Sequence, residues 1–543
     1  MLYSHQRDLA YVAGAVAAHR DNDDWDTAVE QCVALGATRS FVGINLVTDP
    51  FRPTGDVLAF DVHTARVFRV ERDREMQPPF GRSRFVLPRS QIGRVGCMGE
   101  FTADFESLQQ HVVPQWFGEA KFGVFVHYYP SSVPAYAPIN DDPFTLAREK
   151  GAYIAFTECP YSEWYMNSLA CEGSSVHQHH LATYGDKPYD EFVAEFYEAS
   201  AGWQPQRWAD LFAAAGAKYC VMGTKHLDGV LLWPSKFTNP YKGPAWTSPR
   251  DIVGDAFDAI RSVGIRMGMY YCGGLDLTFQ GLGYNSWETI FAAVPQSDEY
   301  RDYALGHYYE LIERYTPDLI WNDVGFPGFG QGAAQLMADY YNGNPNGIIN
   351  DRFDPIGVAL GTSHADYITP EYALGFIRND KPFEWCRGIG TSFGYNQIED
   401  ETTYMSSREL IQLLINVVAD GGNLLLNVGP TASGEIPFAQ QQRLLDIGQW
   451  LKVNGAAIYS TTPHETSTLS TSEGIVVRVT TGTEGESYAI VMGQPSGREI
   501  VIAGLPEGPV QLLGYSGLLH RSGDLVELPI RPDDRPAFAL RIG

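Results

Sequence analysis

The chain has 543 residues, more than one compact core holds, and its 44% hydrophobic and 19% charged content is that of an ordered globular protein. Lys plus Arg number 39 against 65 Asp plus Glu, a formal net charge of −26 with no basic run, which argues against nucleic acid or an anionic membrane surface as partner. No apolar run reaches membrane-spanning length, and the seven cysteines are scattered with no C-x-x-C, so neither a disulfide framework nor a zinc site is expected.

In chain order, Leu9–Ala18 is apolar, but the preceding segment carries Asp8 beside Arg7, a poor start for a signal peptide. It reads instead as a buried helix opening a domain. With no N-x-S/T sequon anywhere, the expectation is a cytoplasmic location. The pattern then predicts a helix over Asp24–Leu35, strands over Ser40–Val47 and Val57–Val70, and a stretch holding Pro78, Pro79 and Pro88. Residues 1–103 carry no chemical motif and no readable aromatic platform. They are expected to form an accessory α+β domain, an oligomer interface (making a homo-oligomer) or a wall of a site.

From residue 104 to 461, short apolar strands alternate with amphipathic helices. The predicted strands are Lys121–Tyr128, Lys218–Thr224, Arg266–Cys272, Leu319–Asp323, Gly347–Asn350 and Asn423–Val428. The predicted helices are Pro205–Ala215, Asp251–Val263, Glu299–Tyr315, Ala333–Tyr341, Ser407–Asp420 and Ala439–Asn454. Such alternation implies parallel strands joined by right-handed crossovers, and over this length an α/β fold of the (β/α)8, TIM-like barrel type. Gly325, Gly328, Gly330 and Gly332 follow a strand at the wrong spacing for a dinucleotide fingerprint, which disfavours a Rossmann enzyme. Over residues 462–543 the helix signals stop. Runs at Gly474–Thr480, Ser487–Met492, Glu499–Ile502 and Val510–Leu513 predict a small antiparallel β-sandwich.

In a barrel the chemistry sits at the C-terminal ends of the strands. Five successive strand ends are polar here: His127; Lys225 and His226; Tyr270 and Tyr271; Asp323; Asp351 and Arg352. Glu371 and Glu384 follow. Any one of these is usually a loop residue, but carboxylates, His, Arg and Trp together, without a metal-ligand pattern, suit glycoside chemistry. That reaction needs one carboxylate at the anomeric carbon and a second acid to protonate the leaving oxygen. Trp164, Trp321 and Tyr270 supply flat faces for a sugar ring.

The motifs ESLQQHVVPQWFGEAKFGVFVH (106–127), SVPAY (132–136), EWYMNSL (163–169), AGAKYCVMGTKHLDG (215–229), LLWPSKFTN (231–239), MYYCGGLD (269–276), PDLIWND (317–323), NDR (350–352), TPEY (369–372), CRGIGTSFGYN (386–396), GGNLLLNVGPTASGEIP (421–437) and NGAAIY (454–459) occur in this order. In them the chain resembles the α-L-fucosidases of glycoside hydrolase family 29, over Phe105 to about Tyr459, roughly two thirds of its length. The resemblance implies an exo-acting, retaining α-L-fucosidase acting on oligosaccharides or glycoconjugates, with no cofactor or metal. It implies Asp323 as nucleophile and Glu371 as general acid/base, with Glu384 as second choice for that role. It places His127, Glu163, Trp164, His226, Tyr270, Trp321, Arg352 and Glu384 among the substrate-binding positions. A retaining pair also implies carboxyl groups about 5–5.5 Å apart, Asp323 ionised and Glu371 protonated at the outset.

The chain departs from the family at three places. The usual KHHDGF is Lys225-His226-Leu227-Asp228-Gly229-Val230, the usual HWG is His127-Tyr128-Tyr129, and the Trp often found after GGLD is Leu277. A sugar hydroxyl left without its partner costs about 1–3 kcal/mol, so Leu227 raises the alternative of another α-L-hexoside, for example an α-L-glucoside or α-L-galactoside, as glycone. A neighbouring loop supplying the missing group is the competing account. A sugar-binding pseudoenzyme is the reading of another class; against it, both Asp323 and Glu371 remain. His177, His179 and His180 cluster, but only His177 and His180 share a helical face, and the cluster reads as solvated surface rather than a metal site.

Overall fold

The apolar runs of the central region form parallel strands in the computed structural model, which describes residues 101–543, except 282, 373–380 and 530–534, together with three strands in the first hundred residues. Those three are β1 (Asn45–Leu46), β2 (Val57–Asp61) and β3 (Arg66–Val70), an antiparallel sheet within the unit Leu2–Glu100. The run expected as one strand over Val57–Val70 is thus two. Folded back, Val57 pairs with Val70 and Asp61 with Arg66, so each half satisfies the backbone groups of the other. The expected segments Leu9–Ala18 and Asp24–Leu35 lie outside the described residues.

The unit Phe101–Gly543 is built on seven parallel strands: β4 (Phe122–Val126), β5 (Tyr219–Lys225), β6 (Arg266–Cys272), β7 (Leu319–Asp323), β8 (Ile348–Ile349), β9 (Glu384–Gly388) and β10 (Asn423–Val428). Their order across the sheet is β8-β7-β6-β5-β4-β10-β9. β4, β5 and β10 are buried along their whole length, as strands covered by helices outside and side chains inside must be. The edges β8 and β9 are bridged by the segment after Asp366. Asn350 pairs with Tyr367, Ile368 with Phe383 and Glu371 with Cys386, all in parallel. This segment takes the eighth place in the ring, and Pro370 interrupts its run of donors, so it bridges its neighbours at single residues. The result is a (β/α)8-like domain. Strand β9 escaped the sequence reading because FEWCRG mixes Glu384 and Arg387 into a short apolar run.

The helices follow the expected ranges within a few residues. Pro205–Ala215 opens on Pro205, buries Trp208, Ala209, Phe212 and Ala215 on one face, and ends at Gly216 in the left-handed conformation, φ 85°. Ser407–Ala419 opens on a capping box between Ser406 and Glu409. Several further helices, among them Tyr165–Ala170, Ser175–Tyr184 and Tyr189–Ser200, fill the insertion between β4 and β5. The C-terminal region is β-rich, with a five-stranded and a three-stranded antiparallel sheet around one apolar core that includes Val477, Val491, Ile500, Val526 and Leu540. It is tied to the barrel's last helix, where Trp450 Nε1 donates to the Ala537 carbonyl at 2.8 Å and Asn454 Oδ1 accepts from the Ala539 N–H at 3.1 Å. Among the described residues, no helix is long and apolar enough to cross a membrane.

Candidate active site

Successive side chains of a strand point to opposite faces, so alternate residues of each barrel strand enter the interior. Phe125, Tyr270 and Trp321 meet there, with Phe125 ring centroids 5.6 Å from Tyr270 and 5.1 Å from Trp321. Above this aromatic floor stand the strand-end polar groups. Asp323 closes β7 and is clamped from three sides: Tyr270 Oη donates to Oδ2 at 2.9 Å, Arg352 Nη1 to Oδ1 at 3.0 Å, and the Val324 N–H to Oδ1 at 3.0 Å. Arg352 comes from the turn after β8. Its second nitrogen, Nη2, donates to Glu371 Oε2 at 2.8 Å, while Tyr161 Oη donates to Glu371 Oε1 at 2.9 Å. Arg352 is itself held, by Nε to Thr369 Oγ1 at 2.8 Å and by its guanidinium carbon lying 4.5 Å from the Trp321 ring centroid.

The residues after both carboxylates are left-handed although neither is glycine: Val324 has φ 60° and Tyr372 φ 45°. Such backbone costs about 1–3 kcal/mol per residue and persists only where the surroundings enforce it. At Val324 the enforcing element is the CGGLD motif. The Gly273 and Gly274 N–H groups both donate to the Asp323 carbonyl at 3.1 Å, and a Cβ on Gly274 would stand 2.0 Å from the Val324 carbonyl oxygen. Gly274→Ala is therefore expected to push the backbone around Asp323 aside and lower kcat about 10- to 100-fold with little change in far-UV circular dichroism. Steady-state kinetics checks this; an unchanged kcat would mean that Val324 moves without carrying the carboxylate.

Of the other expected site residues, Tyr270 bonds Asp323, and His127 and His226 pack on the Tyr270 ring. His226 stacks on Tyr270 with centroids 5.6 Å apart and planes 15° apart, and lies 5.6 Å from His127. Glu163 is buried beside the loop after β9 and accepts from the Gly394 N–H at 2.7 Å; Trp164 is half-buried against Phe156. Glu384 stands apart. It opens β9, paired across the sheet with Asn423, so it lies at the opposite end of the strands from Asp323. It is wholly enclosed, and its two oxygens accept from Trp321 Nε1 at 2.9 Å and Tyr219 Oη at 2.7 Å.

Burial sets the charge states. It raises Glu371 above the ordinary glutamate range, with Asp323 adding like-charge repulsion and Arg352 opposing both. It pushes Glu163 up to about 8 and Glu384 up to about 7. It pushes His127 down to about 3 and His226 well below its usual value, so both imidazoles are neutral.

Leu227 is buried, and its carbonyl accepts from the Leu277 N–H at 2.8 Å, so two of the substituted positions are neighbours. At the third, the Tyr129 ring tilts against His226 at 5.0 Å. The Tyr129 hydroxyl and His226 Nδ1 are both buried without a protein partner. The His177 cluster is dispersed: His180 lies between Tyr165 Oη and the Lys187 carbonyl, and His179 stacks on Tyr136. Among the described residues, no group of three or more His, Cys, Asp or Glu could hold a metal. The sequence reading missed Tyr161 and Asn427. Tyr161 stands two residues before Glu163, but no spacing links it to TPEY. Asn427 interrupts the apolar run Leu424–Val428, where an amide among apolar residues was the available signal.

The Alpha-L-fucosidase family model matches residues 93–456. The tissue alpha-L-fucosidase of Homo sapiens is 31% identical over 419 residues, covering 72% of this chain and 80% of that protein. The alpha-L-fucosidase of Dictyostelium discoideum is 29% identical over 461 residues, covering 82% and 91%. The crystal structure of Thermotoga maritima alpha-fucosidase superposes with a TM-score of 0.71 at 38% identity, covering 82% of this chain and all of that one. With a carboxylate pair at the mouth of a (β/α)8-like barrel and a family match across it, the chain belongs to the α-L-fucosidase family and is a glycoside hydrolase.

Proposed function

We propose that the protein is an exo-acting α-L-fucosidase that removes terminal α-L-fucosyl residues by retaining double displacement. Asp323 attacks the anomeric carbon while the aglycone oxygen leaves with the Glu371 proton. Glu371, now ionised, takes a proton from water, whose oxygen attacks the same carbon and releases Asp323. The observation that carries this reading is Arg352, one guanidinium spanning Asp323 and Glu371. That arrangement suits a closely spaced retaining pair better than an inverting pair, which leaves about 6.5–9.5 Å for a water molecule. Burial keeps Glu371 protonated to higher pH than an exposed glutamate, as a general acid needs. Glu384 has the raised affinity for a proton but lies wholly buried at the start of its strand, whereas Glu371 shares Arg352 with Asp323, so the acid/base role falls to Glu371. The T. maritima enzyme has been crystallised with fucose and with a mechanism-based inhibitor, which supports fucose as the glycone here.

The test is turnover of 4-nitrophenyl α-L-fucoside beside the α-L-galactoside, α-L-glucoside, α-L-rhamnoside and β-D-fucoside, with the product anomer followed by proton NMR. The α-L-fucoside is expected to be the best substrate and α-L-fucose the first product. β-L-fucose appearing first would make the enzyme inverting. A preferred α-L-glucoside or α-L-galactoside would make Leu227 a change of glycone.

A further inference from the structure

His127 closes β4 and packs among Phe125, His226, Tyr270 and Phe393. Its backbone N–H donates to the Val428 carbonyl at 3.2 Å, and its Nδ1 lies 2.7 Å from Asn427 Oδ1. Which of these two atoms carries the hydrogen follows from the far side of the amide. Asn427 Nδ2 lies 2.6 Å from the Phe393 carbonyl oxygen, which can only accept, so the amide nitrogen must face Phe393 and the amide oxygen must face His127. An amide oxygen also only accepts. His127 Nδ1 therefore carries the hydrogen, and in a neutral imidazole Nε2 is left with a lone pair and no proton. Among the described residues no protein group bonds His127 Nε2. Burial disfavours the charged imidazolium, so the ring is neutral.

We propose that Asn427 is a positioning residue that locks His127 in the Nδ1–H form, so that the site meets a sugar hydroxyl at His127 with a hydrogen-bond acceptor and reads that hydroxyl through its hydrogen. The second half rests on the reading that His127 faces the glycone. His226 carries no such lock, since its Nδ1 is buried without a protein partner. Of the two imidazoles packed on Tyr270, one has a set polarity and the other adapts, which lets one glycone hydroxyl donate to His127 while another group selects the state of His226.

The experiment is 15N NMR of the free protein labelled at its histidine imidazoles, with His127→Gln to assign the signals. The wild type is expected to show His127 protonated at Nδ1 and bare at Nε2, unchanged from pH 5 to 8. In Asn427→Leu the lock is gone, so Nε2–H is expected to appear and kcat/KM on the α-L-fucoside to fall roughly 10- to 100-fold. In Asn427→Asp a carboxylate faces Nδ1 and favours the imidazolium. His127 then titrates within the measured range, and kcat/KM gains an acid limb at that pH, recovering as pH rises and Nε2 loses its proton. A wild-type ring bare at Nδ1, or a tautomer unmoved in Asn427→Leu, overturns the lock; if that variant does not fold, the wild-type spectrum alone decides. The tautomer is read without substrate. A locked His127 in a protein that ignores α-L-fucosides would therefore sink the functional reading and the hydroxyl recognition but leave the positioning role intact.

Discussion

Asp323→Ala is expected to lower kcat on 4-nitrophenyl α-L-fucoside on the order of 10⁴-fold while leaving fucose binding measurable by calorimetry. In the proposed mechanism this carboxylate is the group that takes the anomeric carbon. The rest of the site survives its loss. Arg352 keeps its hold on Thr369 through Nε at 2.8 Å and through Nη2 to the carbonyl at 3.1 Å, and keeps Glu371 at 2.8 Å. Tyr270 loses its acceptor but remains stacked on His226. Two further signatures separate loss of a nucleophile from damage to the fold. Azide, small enough to occupy the vacated space, restores turnover of an activated fucoside and yields the β-L-fucosyl azide, because one displacement inverts where two retain. Removing the Asp323 charge also removes one of the causes that raise Glu371, so Glu371 ionises at lower pH in the variant and the alkaline limb of the rescued reaction moves down. A variant retaining a tenth of wild-type activity would exclude Asp323 as nucleophile.

How much of this site was open to reading depends on where each residue lies relative to a strand. His127, Asp323 and Arg352 end apolar runs, and a parallel barrel delivers run ends to one rim; alternation along the strand then sends them inward. Glu371 and Glu384 look alike in sequence, each following or entering a short mixed run. What separates them is register. Glu384 pairs with Asn423 at the start of the strands, whereas Glu371 pairs with Cys386 two residues further along β9. Register is a property of two segments brought together, and neither segment encodes it alone. Tyr161 belongs to an insertion between β4 and β5 whose path over the rim is set by tertiary packing, so its bond to Glu371 had no local signal. The glycines of MYYCGGLD were legible as a motif but not as a cause. Only the approach of Gly274 to the Val324 carbonyl shows that side chains are excluded there to hold Asp323 in place. Leu227 was legible as a departure. That it lies beside Leu277, and that an unpartnered Tyr129 hydroxyl belongs to the ring packed on His226, is not, because those residues belong to three different strand-end loops.

The second large effect is expected at Arg352. Arg352→Met removes the cation that bridges Asp323 and Glu371, leaving the two carboxyl groups without it. Two such groups do not both ionise readily, and the proposed catalytic cycle begins with one of each state. The sign of the pH shift follows from Glu371. Burial raises its proton affinity, Asp323 raises it further, and Arg352 holds it down. Without Arg352 the proton leaves Glu371 at higher pH. As the proposed acid, Glu371 works while protonated, so the alkaline limb of kcat/KM should move to higher pH in Arg352→Met even as the plateau falls about 10²- to 10³-fold. Arg352→Lys should recover part of the plateau but not the geometry. A single ammonium has no fork to span both oxygens, and it forfeits the flat face that rests on Trp321. A structural role alone would lower the plateau and leave the limb in place. A limb that moves down would mean that the group titrating there is not Glu371, and the assignment of the acid would have to be abandoned with it.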